Sequence, residues 1–227
     1  RAIDAYNARE PLIECLREFG ITTIHTGHGP GEIISGQTLI AKTRGDTVAE
    51  AVIEPSAMIA ATIGEGAVAS GNGGRKSPGT RSKVAAMLRA ELLKAQAYAA
   101  RQSEGGDDDD APAPGRDTRL LITAHRHNYI MTALRIAEEF DIRIVLDGAA
   151  ESYLLVDEIR DAGVPVILHP AMARASGERE NLAFTTASAL MAAGIPVAFQ
   201  SGYEGYVPKT RVVLFEAAIT LQHGVTF

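Results

Sequence analysis

Short runs of branched apolar residues alternate with stretches of helical periodicity through the second half of the chain. Residues 120–124, 142–146 and 164–168 are such runs, and each closes on a polar, chemically capable side chain: His125, Asp147 and His169. Runs this short and this apolar predict strands buried on both faces, the pattern of a parallel sheet covered by helices. His125 and Asp147 stand 22 residues apart, as do Asp147 and His169. That interval matches one strand–helix unit returning to the same edge, so the three polar groups are expected on one rim.

The rest of the chain extends the pattern. Residues 11–19 place Leu12, Ile13, Leu16 and Phe19 on a helical stripe that Gly20 stops. Residues 21–24 predict a strand ending in His25, followed by a loop with Gly27, His28, Gly29 and Gly31. A dinucleotide fingerprint would need a helix directly after those glycines, whereas residues 38–41 read as another strand. Residues 56–63 predict the next strand, and 83–100 a helix with Val84, Met87, Leu88, Leu92 and Ala95 on one face. Two flexible loops flank that helix: glycine-rich residues 64–82, and residues 103–118 with four consecutive aspartates.

Asn128 is placed to cap a helix burying Ile130, Leu134, Ala137 and Phe140, and Ser152 precedes another carrying Leu155 and Ile159. Residues 182–193 and 210–222 complete the helices around a last strand at 195–199. Residues 162–166 (AGVPV) echo 193–197 (AGIPV), so one helix–strand junction is reused. Strand starts fall at Ile21, Thr38, Ala57, Leu120, Ile142, Val164 and Ile195, which makes seven.

Composition narrows the picture. At 227 residues the chain can form one domain with a large core. Its net charge is −6, with no Lys/Arg stripe interleaved with aromatics, which argues against a nucleic-acid partner. A single cysteine, Cys15, excludes an internal disulfide framework and a Cys-based zinc site, and its helical apolar position points to packing. No apolar run reaches the roughly 20 residues that span a bilayer, so no membrane segment is expected. Starting at Arg1, the chain is expected to have lost or left upstream sequence, in the cytoplasm or after export.

Four stretches together resemble a known family: PLIECLREFGITTIHTGHG at 11–29, HRHNYIMTALRIAEEFDIRIVLD at 125–147, residues 163–170 and residues 194–222. The sequence resembles the amidohydrolase superfamily, specifically its imidazolonepropionase-like branch. The resemblance implies a TIM-like (β/α)8 barrel whose seven visible strands are the family's second to eighth. The first strand, with its His-x-His ligand pair, and the β-sandwich segments are then absent from this chain. It also implies one or two divalent metals, zinc being the expected ion, that activate water against an amide or ring C–N carbon.

Position by position, His125 falls on the family's fifth-strand metal ligand. Asp147 stands at the sixth-strand histidine position and becomes a candidate catalytic carboxylate. The fourth strand offers no lysine, leaving Glu65 beyond it, and Gln200-Ser201 occupies the place of the eighth-strand aspartate. His169 is open to two readings, acid–base work or pocket lining, and His125 without metal would be a hydrogen-bonded histidine at the mouth. Substrate contacts are expected from His25, His28, Arg126, His127, Ser201, Tyr203, Glu204 and Lys209, all at strand ends or in rim loops. Ser201 lacks a Gly-x-Ser-x-Gly context and is read as a contact, not a nucleophile.

Two functions follow as expectations. One is a metal-assisted hydrolase of a small amide, cyclic amide or dipeptide-like molecule. The other is a catalytically inactive barrel that binds a small ligand or partners an active paralogue. In either case a barrel short of one strand leaves edges exposed, so a homo- or hetero-oligomer is expected to complete it.

Overall fold

A computed structural model of the chain describes residues 1–69, 78–103, 119–202 and 209–224. Its strands are β1 (Thr23–Thr26), β2 (Ile34–Gln37), β3 (Leu39–Lys42), β4 (Val52–Glu54), β5 (Met58–Thr62), β6 (Arg119–Ala124), β7 (Ile144–Gly148), β8 (Val166–Leu168) and β9 (Val197–Phe199). Helices α1 (Pro11–Glu18), α2 (Val48–Ala51), α3 (Glu65–Ala69) and α4 (Arg81–Ser103) accompany the first five strands. Helices α5 (His127–Phe140), α6 (Val156–Asp161), α7 (Thr186–Ala192) and α8 (Val213–Gln222) follow β6 to β9 in turn.

Six strands form one sheet in the order β2-β5-β6-β7-β8-β9, and β1, β3 and β4 form a second. Strands β5 to β9 run parallel, in registers that set Thr123 beside Asp147 and Asp147 beside Ile167. Their outward side chains, among them Ile122, Leu146, Val166 and Leu168, pack with Ile130, Ile136, Ile159 and Leu190 of the helices in a single core cluster. Each strand-to-strand crossover from β5 onward therefore covers the same face. A succession of right-handed units with helices on one side rolls a sheet towards a barrel, whereas helices on both faces would keep it open and doubly wound.

Among the described residues the roll does not close, which corrects the expectation of seven parallel strands. The strands expected at Ile21 and Thr38 form as β1 and β3, but they pair antiparallel with each other in the small sheet. A parallel crossover needs a dozen or more residues, usually helical. The connection between β1 and β3 is spent on glycines and on β2, which runs antiparallel to β5 with a bulge between Ile34 and Gly36. Thr38 is the residue at which the chain leaves one sheet for the other. It is fully buried, and its backbone exchanges hydrogen bonds with Met58 O and Ala57 N at 2.8 Å each.

Smaller departures have local causes. Helix α5 begins at His127, ahead of the expected Asn128 cap, because the Glu151 carboxylate accepts from the His127 backbone N–H at 2.7 Å. Residues 65–69, within the expected glycine-rich loop, form α3. No described helix is long and apolar enough to cross a membrane.

Candidate functional site

The inward face of the parallel strands lines a cavity of about 550 Å³. Leu121 and Ile167 sit at mid-strand, Asp147, Gln200 and Ser201 at the carboxyl ends, and His25 and His28 arrive from β1 and the loop after it. Leu16, Ile24, Val213 and Leu214 complete an apolar wall. Strand alternation explains the division: Thr123, Asp147 and Ile167 point away from the helices, and their neighbours Ile122, Leu146 and Leu168 point into them.

Asp147 is the most constrained polar group there. It is 1% exposed, accepts from the Thr123 hydroxyl at 2.5 Å through Oδ2, and accepts from Gln200 Nε2 at 2.7 Å through Oδ1. His28 Nε2 lies 4.0 Å from Oδ2 with both side chains buried. Burial holds the His28 imidazole below its usual range, so the neutral ring is the favoured form and this approach is a polar contact rather than an ion pair. His25, pushed down to about 4 by burial and then by His28, bonds Thr38 Oγ1 through Nε2 at 2.6 Å.

His125 and His169 stand against each other beside the cavity, with ring centroids 5.4 Å apart in an edge-on arrangement. Gly148 makes room for this pair: its φ is +82°, and a Cβ there would sit 2.5 Å from His125 Cε1. His169 Nδ1 lies 3.1 Å from the Pro170 carbonyl, which assigns the proton to Nδ1 and leaves Nε2 to accept from Arg179 Nη1 at 2.8 Å. Burial, then His169 and Arg179, pushes His125 down to about 3. Its Nδ1 is buried with no hydrogen-bond partner among the described residues.

A brace flanks the mouth. Glu151, 2% exposed, accepts from the His127 backbone and its Nδ1 (2.7 and 2.8 Å) and from Asn181 (2.7 Å). Arg126 binds Glu180 at 2.9 Å and the Gly177 carbonyl at 3.2 Å. Residues 177–179 touch three strand ends in succession: Gly177 meets Arg126, Glu178 Oε1 accepts from the Glu65 N–H at 2.8 Å, and Arg179 meets His169. Burial raises the Glu178 carboxyl above its ordinary range.

Of the residues singled out from sequence, the structure brings Asp147, His25, His28 and Ser201 onto one cavity wall. His125 and His169 adjoin it, while Arg126 and His127 engage the acidic brace. Tyr203 and Glu204 lie outside the described residues, and Lys209 opens a 3-10 turn before α8. Thr123, Arg179 and Glu151 were not anticipated. Thr123 was findable, since it shares a strand face with His125, but nothing local marks Arg179 or Glu151.

Two of the polar groups expected to serve chemistry at the strand ends already have protein partners. Among the described residues no group of three or more His, Cys, Asp or Glu side chains is disposed to hold a metal. Asp147 is engaged by Thr123 and Gln200, and His169 Nε2 faces a guanidinium, which repels a cation.

No protein-family profile and no curated protein matches the chain. It superposes on the crystal structure of an amidohydrolase from Thermotoga maritima MSB8 with a TM-score of 0.90 at 23% identity, over 99% of this chain. The match shows a shared fold. The chain spans 61% of the length of that protein.

Proposed function

We propose that this chain acts as an amidohydrolase-like hydrolase, of the imidazolonepropionase-like kind, on a non-peptide C–N bond of a small amide, cyclic amide or dipeptide-like molecule. The observation that carries the reading is Asp147, a buried carboxylate on a cavity wall at the carboxyl ends of parallel strands, where α/β folds of this kind place their chemistry. Thr123 and Gln200 fix its orientation, and the neutral His28 and His25 rings offer proton-accepting or donating nitrogens within the same wall. Leu16, Ile24 and Leu214 exclude water from the substrate's apolar part. In this reading Asp147 takes a proton from water as the water oxygen bonds to the carbonyl carbon, and returns it to the leaving nitrogen as the C–N bond breaks.

A second reading, a binding barrel without turnover, is favoured by one observation: both Asp147 oxygens already accept protein hydrogen bonds. Mass-spectrometric turnover of a panel of N-acyl amino acids, imidazolones, hydantoins and dipeptides separates the two. Hydrolysis of at least one class, reduced a hundredfold or more in Asp147→Asn, supports the first. Saturable binding with no product in any class supports the second. The strand β9 edge, unpaired among the described residues, is where we place a strand from another segment or subunit.

A further inference from the structure

The helix-covered side of the molecule carries a second cleft, about 430 Å³, between α4 and α5. Three arginines line it, Arg81 and Arg89 from α4 and Arg135 from α5, with Ser82, Asn128 and Tyr129. None of its lining residues lines the cavity at the strand ends. We propose that this cleft is a binding site for the phosphate group of a small phosphorylated molecule.

The charge arrangement supports this. Arg81 pairs with Glu65 through Nη2 (2.8 Å) and Arg89 with Glu139 through Nε (2.7 Å), each spending one edge of a guanidinium that carries five donors. Arg135 has no carboxylate partner among the described residues; its Nη2 donates to Thr132 Oγ1 at 3.2 Å. Thr132 in turn donates to the Asn128 carbonyl, so the arginine is steered without being neutralised. Glu178 also lies within electrostatic reach of Arg81, so the excess of positive charge rests on Arg89 and Arg135, two guanidiniums against Glu139, with unused planar N–H edges of the geometry that oxyanions match with paired hydrogen bonds.

Position then orders the groups. Glu139 lies one helical turn beyond Arg135, so its partner Arg89 borders the cleft within about a turn of Arg135, and these two are the seat for the anion. Arg81 stands eight residues before Arg89, roughly 12 Å along the helix axis. Its guanidinium lies 5.4 Å over the ring of Tyr129. Tyr129 is 3% exposed and its hydroxyl is buried with no hydrogen-bond partner among the described residues. The cleft is larger than a phosphate ion, so the remaining space suits the organic part of a phosphate monoester.

Calorimetric titration of the full chain with inorganic phosphate and with glycerol 3-phosphate, at ionic strength matched with chloride, tests the site. Saturable binding that falls at least tenfold in Arg135→Gln and in Arg89→Gln is the expected result. Tighter binding of the monoester identifies an organic phosphate, and tighter binding of the free ion identifies phosphate itself as the occupant. Protection of Arg89 and Arg135 from phenylglyoxal, mapped by mass spectrometry on the unmutated protein, gives an answer independent of variant folding. No saturable heat with either probe, equal binding by the variants, or no protection would overturn the proposal.

Discussion

The two faces of the parallel sheet come from the same strands and do opposite things. On the helix side, Ile122, Leu146, Val166 and Leu168 interlock with the helices and are nearly or fully buried. On the other side, Leu121, Asp147, Ile167 and Ala198 border empty space and mix carboxylate with hydrocarbon. A shift of one residue along a strand moves a side chain from packing to chemistry. Stability and function are thus separable by parity, and substitutions can test how cleanly.

The largest contrast is expected between neighbours on β6. Ile122→Ala removes a fully buried side chain from the interlocked face and should cost about 3–4 kcal/mol in urea unfolding. Leu121→Ala enlarges a cavity that already exists and should cost about half as much. Equal losses would mean that the cavity face is packed as tightly as the other. Next comes Gly148→Ala, which forces a side chain into a left-handed backbone and against the His125 ring. A destabilisation of about 2–3 kcal/mol is expected by the same measurement, with a displaced His125 resonance in NMR spectra.

Acid should act on the mouth before it acts on the helix face. His125 has a folded-state value of about 3, below the ordinary 6.5, so between those values the unfolded chain binds more protons. Stability is full above pH 6.5 and declines as pH falls through this window, by about 2 kcal/mol at pH 5 for one such imidazole. The decline should be shallower in His125→Gln; an unchanged slope would remove His125 from the account. The smallest stability effect belongs to Asp147→Asn. Its remaining carbonyl still accepts from Gln200 and the Thr123 hydroxyl can rotate to accept from the new amide, so about 1 kcal/mol is expected in urea unfolding, while turnover falls a hundredfold or more.

The same parity explains what could be read from the chain. Strands β6 to β9 and helix α5 were legible because apolar runs and 3.6-residue stripes are local signals, and the 22-residue spacing of His125, Asp147 and His169 carried their shared edge. The orientation of β1 and β3 was not legible. It depends on a bulge at Gly36 and a change of sheet at Thr38, features of loop geometry that apolar periodicity does not encode. The candidate site divides in the same way. Asp147 stood out as a polar end to an apolar run, whereas its contact with Gln200, 53 residues away, is a product of folding and leaves no local trace.

The turn at residues 177–179 gives the mouth a mechanical character. Because it fastens the chain just beyond β5, β6 and β8 through one short tether, none of these ends can peel away without slackening the others. The Glu65 amide, held at that knot by the Glu178 carboxylate, is therefore a natural gauge: the rate at which it trades its proton for deuterium should report how often the whole entrance breathes.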